Sequence, residues 1–482
     1  MPAEVVGSDV VAGAGADVAW VAEVAVTVVC VADVEPTDDD TGVDTLWLFA
    51  SEAHAPSSSA VSSRPRVRIC TTLRAIPLLR VLVGRNHERD VEREGYRPGV
   101  QSAAAISPLI ITADDTTGAL ESAGAAADAG WDTTVVPHAE FVAHGPVAGG
   151  EATNMACVVD LRSRHATADE AAARLRSVLA ATVVRVHKID STLRGNWPAE
   201  VASATATGRR VLMVPSYPAA GRICQGGVVT EHGVPVERTQ HADDPRAPAR
   251  TSRPARALDG ADELTSPGAV AEWLQHGGEC AVADAVDDRQ LRFVVELACA
   301  RDDVLLVGTA AVVGAVAEVL RTRRPGWSPT QPIARRIVGP VLVVCGSLHP
   351  ISRAQIRSLI QAGAVSAGDV LPGSAAAVVV LVSSSHRRND PTQVAAQLAA
   401  TASGLIRSLR PSTLVLVGGD TAEAFIGDRS VHVAGSLGIG VAIGTIDIDG
   451  ATLTVVAKPG AFGSTNTLVD LMNDALTDGP RP

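Results

Sequence analysis

The sequence predicts an α/β fold: two domains with mainly parallel sheets, an interdomain cleft, and a poorly structured N-terminal extension. Three observations carry that expectation. Short apolar runs alternate with helix-length segments from Pro108 onward, as they do when a parallel sheet is covered on both faces. Several of those runs end in turns built from glycine, aspartate and threonine. The stretch "RTRRPGWSPTQPIAR" then breaks the pattern with prolines and clustered arginines, which predicts a linker at 326–336 between a first domain, 105–325, and a second, 337–482.

In chain order, residues 1–104 do not resemble the rest. Ala/Val/Asp repetition, the Ser-rich "HAPSSSAVSSRPRVR" and an Arg-rich stretch through "GRNHERDVEREGYRPG" show no strand–helix alternation. They are expected to be a disordered extension or the product of a start codon assigned too early, with a small accessory domain as the alternative. "PLIITA" reads as a buried strand, "DDTTG" as a turn, and "ALESAGAAADAG" as a small-residue helix closed by Gly130. "TTVVP" and "ACVVDLRSR" give strands, "ADEAAARLRSVLAA" an amphipathic helix, and "VVRVHKID" a further strand. Residues 215–266, rich in Pro, Gly and Arg, predict long loops or a β-excursion before "CAVADAVDDRQLRFVVELACA" and "VLLVGTAAVVGAVAEVL" resume the alternation. In the second domain "PVLVVCGS", "AAAVVVLVSS" and "TLVLVGGD" are strands, separated by the helices "SRAQIRSLIQAG" and "PTQVAAQLAATASGLIRSL".

Composition excludes several function classes. A net charge of −12 over 482 residues argues against a general nucleic-acid binder, which needs a basic face. Seven scattered cysteines without a C-x-x-C pair predict reduced thiols in a cytoplasmic protein rather than disulfides or a zinc site. The run "VAWVAEVAVTVVCVA" carries Glu23, lacks a basic flank and is too short to span a bilayer, so no membrane partner is expected. No G-x-x-x-x-G-K-[ST], G-x-S-x-G or H-E-x-x-H motif occurs.

Lysine is the informative residue. The chain has only two, Lys188 in "HKIDSTLRGN" and Lys458 in "AKPGAFG", where arginine serves nearly everywhere else. If coding drift replaced the others, these survive where a compact ammonium cannot give way to a planar guanidinium. Lys188 and Asp190 end a strand and are followed by Ser191, Thr192, Arg194 and Asn196 before a helix that Pro198 helps to start. That set suits a carboxylate or phosphate at a strand's carboxyl end. The plainer alternative is that Ser191 or Asn196 caps the helix and Lys188 is a solvated strand end. Asp114 and Asp115 are adjacent carboxylates, costly unless a cation or shared proton relieves them; one can act as general base on a hydroxyl or hold Mg²⁺ through water, or Asp115 is simply an N-cap. Glycine turns at Gly346–Ser347, at Gly418, Gly419, Asp420 and Thr421, and at Gly460 and Gly463 let backbone amides approach phosphates.

Together these segments resemble one family, the four-carbon acid sugar kinases. "ADDTTGA" is similar to its A-D-D-L-T-G-A, "KIDSTLRGN" to its K-x-D-S-T-L-R-G-N, and "GGDTA" and "KPGAFG" to its G-G-E-T and K-x-G-x-F-G turns. "VPSYPAAGRICQGG" and "CGSLHPISRAQI" resemble two further family segments, and the likeness runs collinearly from Ser107 to Leu471. The resemblance implies an ATP-dependent phosphotransferase with Mg²⁺, acting on a four-carbon acid sugar in carbohydrate catabolism. Its first domain would bind the acid and its second the nucleotide. By position, Asp114, Asp115, Arg164, Lys188, Asp190, Ser191 and Arg194, with Thr192 and Asn196, would face the acid, Asp115, Asp190 and Lys188 being the catalytic candidates. Ser347, Gly418, Gly419, Asp420, Thr421, Lys458, Gly460 and Gly463 would face ATP. Thr116, Asp420, Ala311, His349 and Ser352 depart from the family pattern, and residues 1–104 have no counterpart in it. Two other readings stay open: a non-catalytic sugar-acid sensor, and an NAD(P)-dependent oxidoreductase, against which the missing G-x-G-x-x-G speaks. The metal ligands, the particular acid and the presence of a homo-oligomer are not set by the sequence.

Overall fold

A computed structural model describes residues 108–146, 154–324, 326–330, 335–370, 376–383 and 390–477, all within one compact unit. The expected extension, 1–104, lies outside the described residues.

The sequence predicts two sheets; the described residues form one of fifteen strands, with a separate three-stranded ribbon. Its second-half strands run in the order Val365–Ser366, Val378–Val382, Val341–Cys345, Thr413–Val417, Ala451–Lys458, Val441–Ile448 and Val431–Gly438. The first half continues with Asp132–Pro137, Met155–Asp160, Leu109–Ala113, Val184–Lys188, Val304–Gly308, Arg210–Val214, Cys280–Ala283 and Asp262–Leu264. Pairing is parallel within each half except where the halves join. There Val431 opposes Val135 in an antiparallel pair, and Val431–Gly438, Val441–Ile448 and Ala451–Lys458 form an antiparallel meander. "GIGVAIG" is the first hairpin of that meander, with Gly438 and Gly440 at positive φ in its turn. The β-excursion of the first half is the ribbon Arg222–Gln225, Val228–Glu231 and Val234–Pro235.

Helix Thr116–Asp128 explains how one sheet serves both halves. It packs against Leu109–Ala113, Asp132–Pro137, Met155–Asp160 and Val184–Lys188 of the first half and against all three strands of the meander. The sheet covers one side of it and the helices Ala310–Arg323 and Gly419–Ile426 cover others, so it is buried nearly all round rather than along one stripe. Small residues are what such a site admits: a Cβ on Gly124 would lie 2.8 Å from Ser436 Oγ. One hydrophobic layer accordingly runs through both halves, from Leu120 and Val316 to Leu416 and Phe425. The opposite sheet face carries a separate core in each half, one around Leu175 and Val201 and one around Leu359 and Val456. The predicted linker is held to the first half, Trp327 against Trp131 and the Thr330 amide donating to Gly130 O at 3.0 Å.

All five described cysteines, Cys157, Cys224, Cys280, Cys299 and Cys345, are free thiols. No helix among the described residues is long and apolar enough to cross a membrane.

Candidate functional site

The strand Leu109–Ala113 delivers Asp114 and Asp115 to its carboxyl end, and Val184–Lys188 delivers Lys188 beside them. Asp115 is the N-cap of the helix that follows: its Oδ1 accepts the Gly118 N–H at 3.0 Å and its Oδ2 accepts the Thr117 hydroxyl at 2.5 Å. It is therefore a cap, as its plainer reading has it, but a cap inside a charge cluster. Arg164 grips Asp114 with both arms of its fork, at 2.8 and 2.9 Å, and reaches Asp115 Oδ1 at 2.5 Å. Lys188 Nζ sits 3.5 Å from an oxygen of each aspartate.

Lys188 is only 4% exposed, so it is no solvated strand end. Its ammonium fills the space above Gly118; a Cβ at that glycine would collide with Nζ and with Asp115 Oδ1. The four cluster members, Asp114, Asp115, Arg164 and Lys188, answer one another electrostatically. Arg164 and Lys188 overcome burial and hold Asp115 well below the usual carboxylate range, while burial wins at Asp114 and raises it. The two aspartates in turn keep Lys188 charged, raising it against the pull of burial.

Asp190 is saturated. Arg194 binds it bidentately at 2.9 Å on each oxygen, the Thr192 hydroxyl and amide donate to it, and Arg164 lies 3.6 Å away. Burial opposes its ionisation, yet these two guanidiniums depress it well below the ordinary range. Asn196 stands at the N-cap of helix Trp197–Thr205 but its side chain makes no cap hydrogen bond; its Nδ2 donates to the carbonyls of Ser163 and Ala166 at 2.8 Å and ties down the loop that carries Arg164. Ser191 accepts from Arg222 at 2.6 Å.

In the second half, Gly418 occupies φ +110°, open to glycine alone, and leads into helix Gly419–Ile426. The first amides of that helix lack intrahelical acceptors, as at any helix N-terminus. Thr421 Oγ1 accepts the Gly346 N–H at 3.1 Å and so pins the Ser347 turn beside it. Gly460 packs so close to Ser347 that a Cβ there would strike its hydroxyl. Lys458 is completely buried, donates to Pro459 O at 2.9 Å and has no carboxylate partner among the described residues; burial pulls it down to about 8. Asp420 is turned to the first half, where Arg246 donates to it at 3.0 Å. Gly463 faces Thr467 rather than Ser347.

The halves meet at this site. A Cβ on Gly419 would lie 3.7 Å from both Asp115 Oδ2 and Thr117 Oγ1. Arg222, the partner of Ser191, stacks on Phe462 of the "KPGAFG" turn at 5.1 Å. The aspartate–lysine cluster thus borders the Gly418–Gly419 turn directly, with Ser347 against Gly418 on its far side.

Three participants lie outside the predicted set. Glu121 is one helical turn beyond Gly118; its carboxyl is raised by burial, lies near Lys188, Tyr217 and Arg222, and keeps Oε1 buried without a partner. Glu423 is pushed up to about 7 by burial and by Asp160 across the junction, and Asp160 to about 6 chiefly by burial. Helix spacing from Thr117 and Gly118, four and three residues before it, is the signal that could have found Glu121; nothing in the sequence brings Glu423 to Asp160. Among the described residues no group of three or more His, Cys, Asp or Glu is placed to hold a metal ion.

A family model described as a sugar-binding N-terminal domain matches residues 109–316. A D-threonate kinase of Salmonella typhimurium is 28% identical over 384 residues, 65% of this chain and 87% of that protein. A D-threonate kinase of Bordetella bronchiseptica is 28% identical over 400 residues, 74% of this chain and 95% of that one. Among solved structures, a Haemophilus influenzae protein of the family DUF1537 shares the fold with a TM-score of 0.54 at 17% identity, over 77% of this chain and all of its own.

Proposed function

We propose that the chain is a four-carbon acid sugar kinase, like the D-threonate kinases it resembles, and that it transfers the terminal phosphoryl group of ATP to a hydroxyl of a threonate-, erythronate- or 3-oxo-tetronate-type acid. The observation that carries the reading is the abutment of the Gly418–Gly419 turn on Asp115 and Thr117, which sets an amide-rich helix end beside a buried ammonium and an ionised carboxylate.

Phosphoryl transfer asks the protein for positioning and charge neutralisation more than for covalent chemistry. Lys188 neutralises the acid's carboxylate or the phosphoryl group in flight, and Asp115 orients the attacking hydroxyl and receives its proton. Asp190 holds Arg194 and Arg164 in place, and the amides around Gly418, Gly419 and Gly460, with Ser347 and Lys458, hold the nucleotide. Lacking a carboxylate cage, the site fits a Mg²⁺ that arrives on the nucleotide phosphates and takes few protein oxygens; it would supply charge neutralisation there.

The test is ADP release from ATP across a panel of threonates, erythronates and their 3-oxo forms. Release with at least one acid and none without it is expected; tight acid binding with no release would convert the reading to a sensor.

Lys458 gives the nucleotide half its own prediction. In the free protein the ammonium is half deprotonated near pH 8; a bound phosphate favours the charged form and raises that pKa. Nucleotide binding therefore takes up a proton above neutrality, and affinity falls as pH rises through 8 toward 10. Calorimetry in buffers of different ionisation enthalpy measures the uptake; an affinity flat from pH 7 to 9.5 would remove Lys458 from the phosphate site.

A further inference from the structure

His349 stands between the strand Val341–Cys345 and the helix Pro350–Gln361, which it caps. Its Nδ1 accepts the Ile351 N–H at 3.2 Å, so the neutral ring carries its proton on Nε2. That Nε2 is buried and has no hydrogen-bond partner among the described residues. Burial first, then the electrostatic influence of His241, Lys458 and Arg194, hold the ring below the usual histidine range, with Glu231 opposing. These neighbours come from both halves. Lys458 belongs to the second half, and the rest to the first, where Arg194 is spent on Asp190 and Asp244 and Glu231 on Arg222 and His241. A buried donor without an acceptor is costly, and one set among cations is satisfied best by an anion.

We propose that His349 is a further catalytic residue, its Nε2–H donating to a non-bridging oxygen of the phosphoryl group as that group passes between nucleotide and acid. No bond forms or breaks at the imidazole, and the proton stays on Nε2. The proposal rests on the kinase reading and adds to it a donor that departs from the family pattern.

Two substitutions separate this role from capping. His349→Asn keeps an acceptor near the Nδ1 position, and with it the cap, but has no group at Nε2. His349→Gln places an amide N–H near Nε2. With ATP and the best acid of the panel, His349→Asn is expected to lower kcat by about 10²-fold with the melting temperature and the acid's KM unchanged, and His349→Gln to restore part of the loss. Wild-type kcat in His349→Asn overturns the proposal, and so does an equal loss in both variants, which would mark shape rather than the donor. An unmodified protein that neither binds ATP nor releases ADP with any acid overturns the kinase reading itself, and this inference with it.

Discussion

Asp115→Asn lowers kcat by about 10²-fold or more, with the acid's KM little changed. Asparagine keeps the size of the side chain and can still accept from the Gly118 amide, so the cap survives. What is lost is the negative charge that would orient the acceptor hydroxyl and take its proton. The carboxylate is ionised across the working range, because Arg164 and Lys188 hold it well below the usual value. The sign is fixed: no loss of activity from Asp115 protonation appears until pH falls far below the ordinary carboxylate pKa. Asp114→Asn is the contrasting variant. Asp114 is Arg164's bidentate partner, and its backbone oxygen accepts from Ser163 and Arg164. Losing that carboxylate takes away the bidentate partner of a buried guanidinium and leaves it only Asp115 and the more distant Asp190, so its rate deficit should come with a lower melting temperature. Steady-state ADP release and thermal unfolding on both variants decide the matter; a near-normal rate in Asp115→Asn would move the base elsewhere, with Glu121 next in line.

The parts of the site that a reader could find in the sequence are those carried by one contiguous segment at the end of a strand. Asp114, Asp115 and Gly118 come from one such segment, and Lys188, Asp190 and Arg194 from another. The order of glycine, acid and cation in each already states what chemistry the strand end presents. The element pattern was equally readable, since apolar runs such as "VLLVG" and "TLVLV" are strands wherever they sit. Sheet order was not. A run of valines carries no record of its partner, so the antiparallel pair of Val431 with Val135, which turns two expected sheets into one, has no local signature. The small residues of helix Thr116–Asp128 hold the missing clue: a helix that is nearly all Ala, Gly, Ser and Thr must be crowded on more than one side. Side chains such as Arg222 and His349 are harder still, because each acquires meaning only from a neighbourhood that folding brings from the other half, Phe462 for one and the charge of Arg194 for the other.

Lys188→Met should be the most damaging single change in the chain. The ammonium is buried, 3.5 Å from each of two adjacent carboxylates, and it shares with Arg164 the task of holding both charges. Removing it leaves Arg164 alone with Asp114 and Asp115, and Asp114, already raised by burial, takes up a proton. Breaking a buried charge cluster in this way costs stability of about 3–5 kcal/mol. Loss of the cation proposed to meet the acid or the moving phosphoryl is expected to lower kcat/KM by about 30- to 10³-fold, with KM for the acid rising as kcat falls. Lys188→Arg keeps the charge and tests the shape. Gly118 lies against the ammonium so closely that even one added carbon would strike it, and a planar guanidinium needs more room than that. The arginine variant is therefore expected to fold better than the methionine one yet recover little of the rate. Should Lys188→Arg restore wild-type turnover, the cavity would be roomier than the Gly118 contact allows, and the survival of a lysine here in an arginine-rich chain would need a different cause.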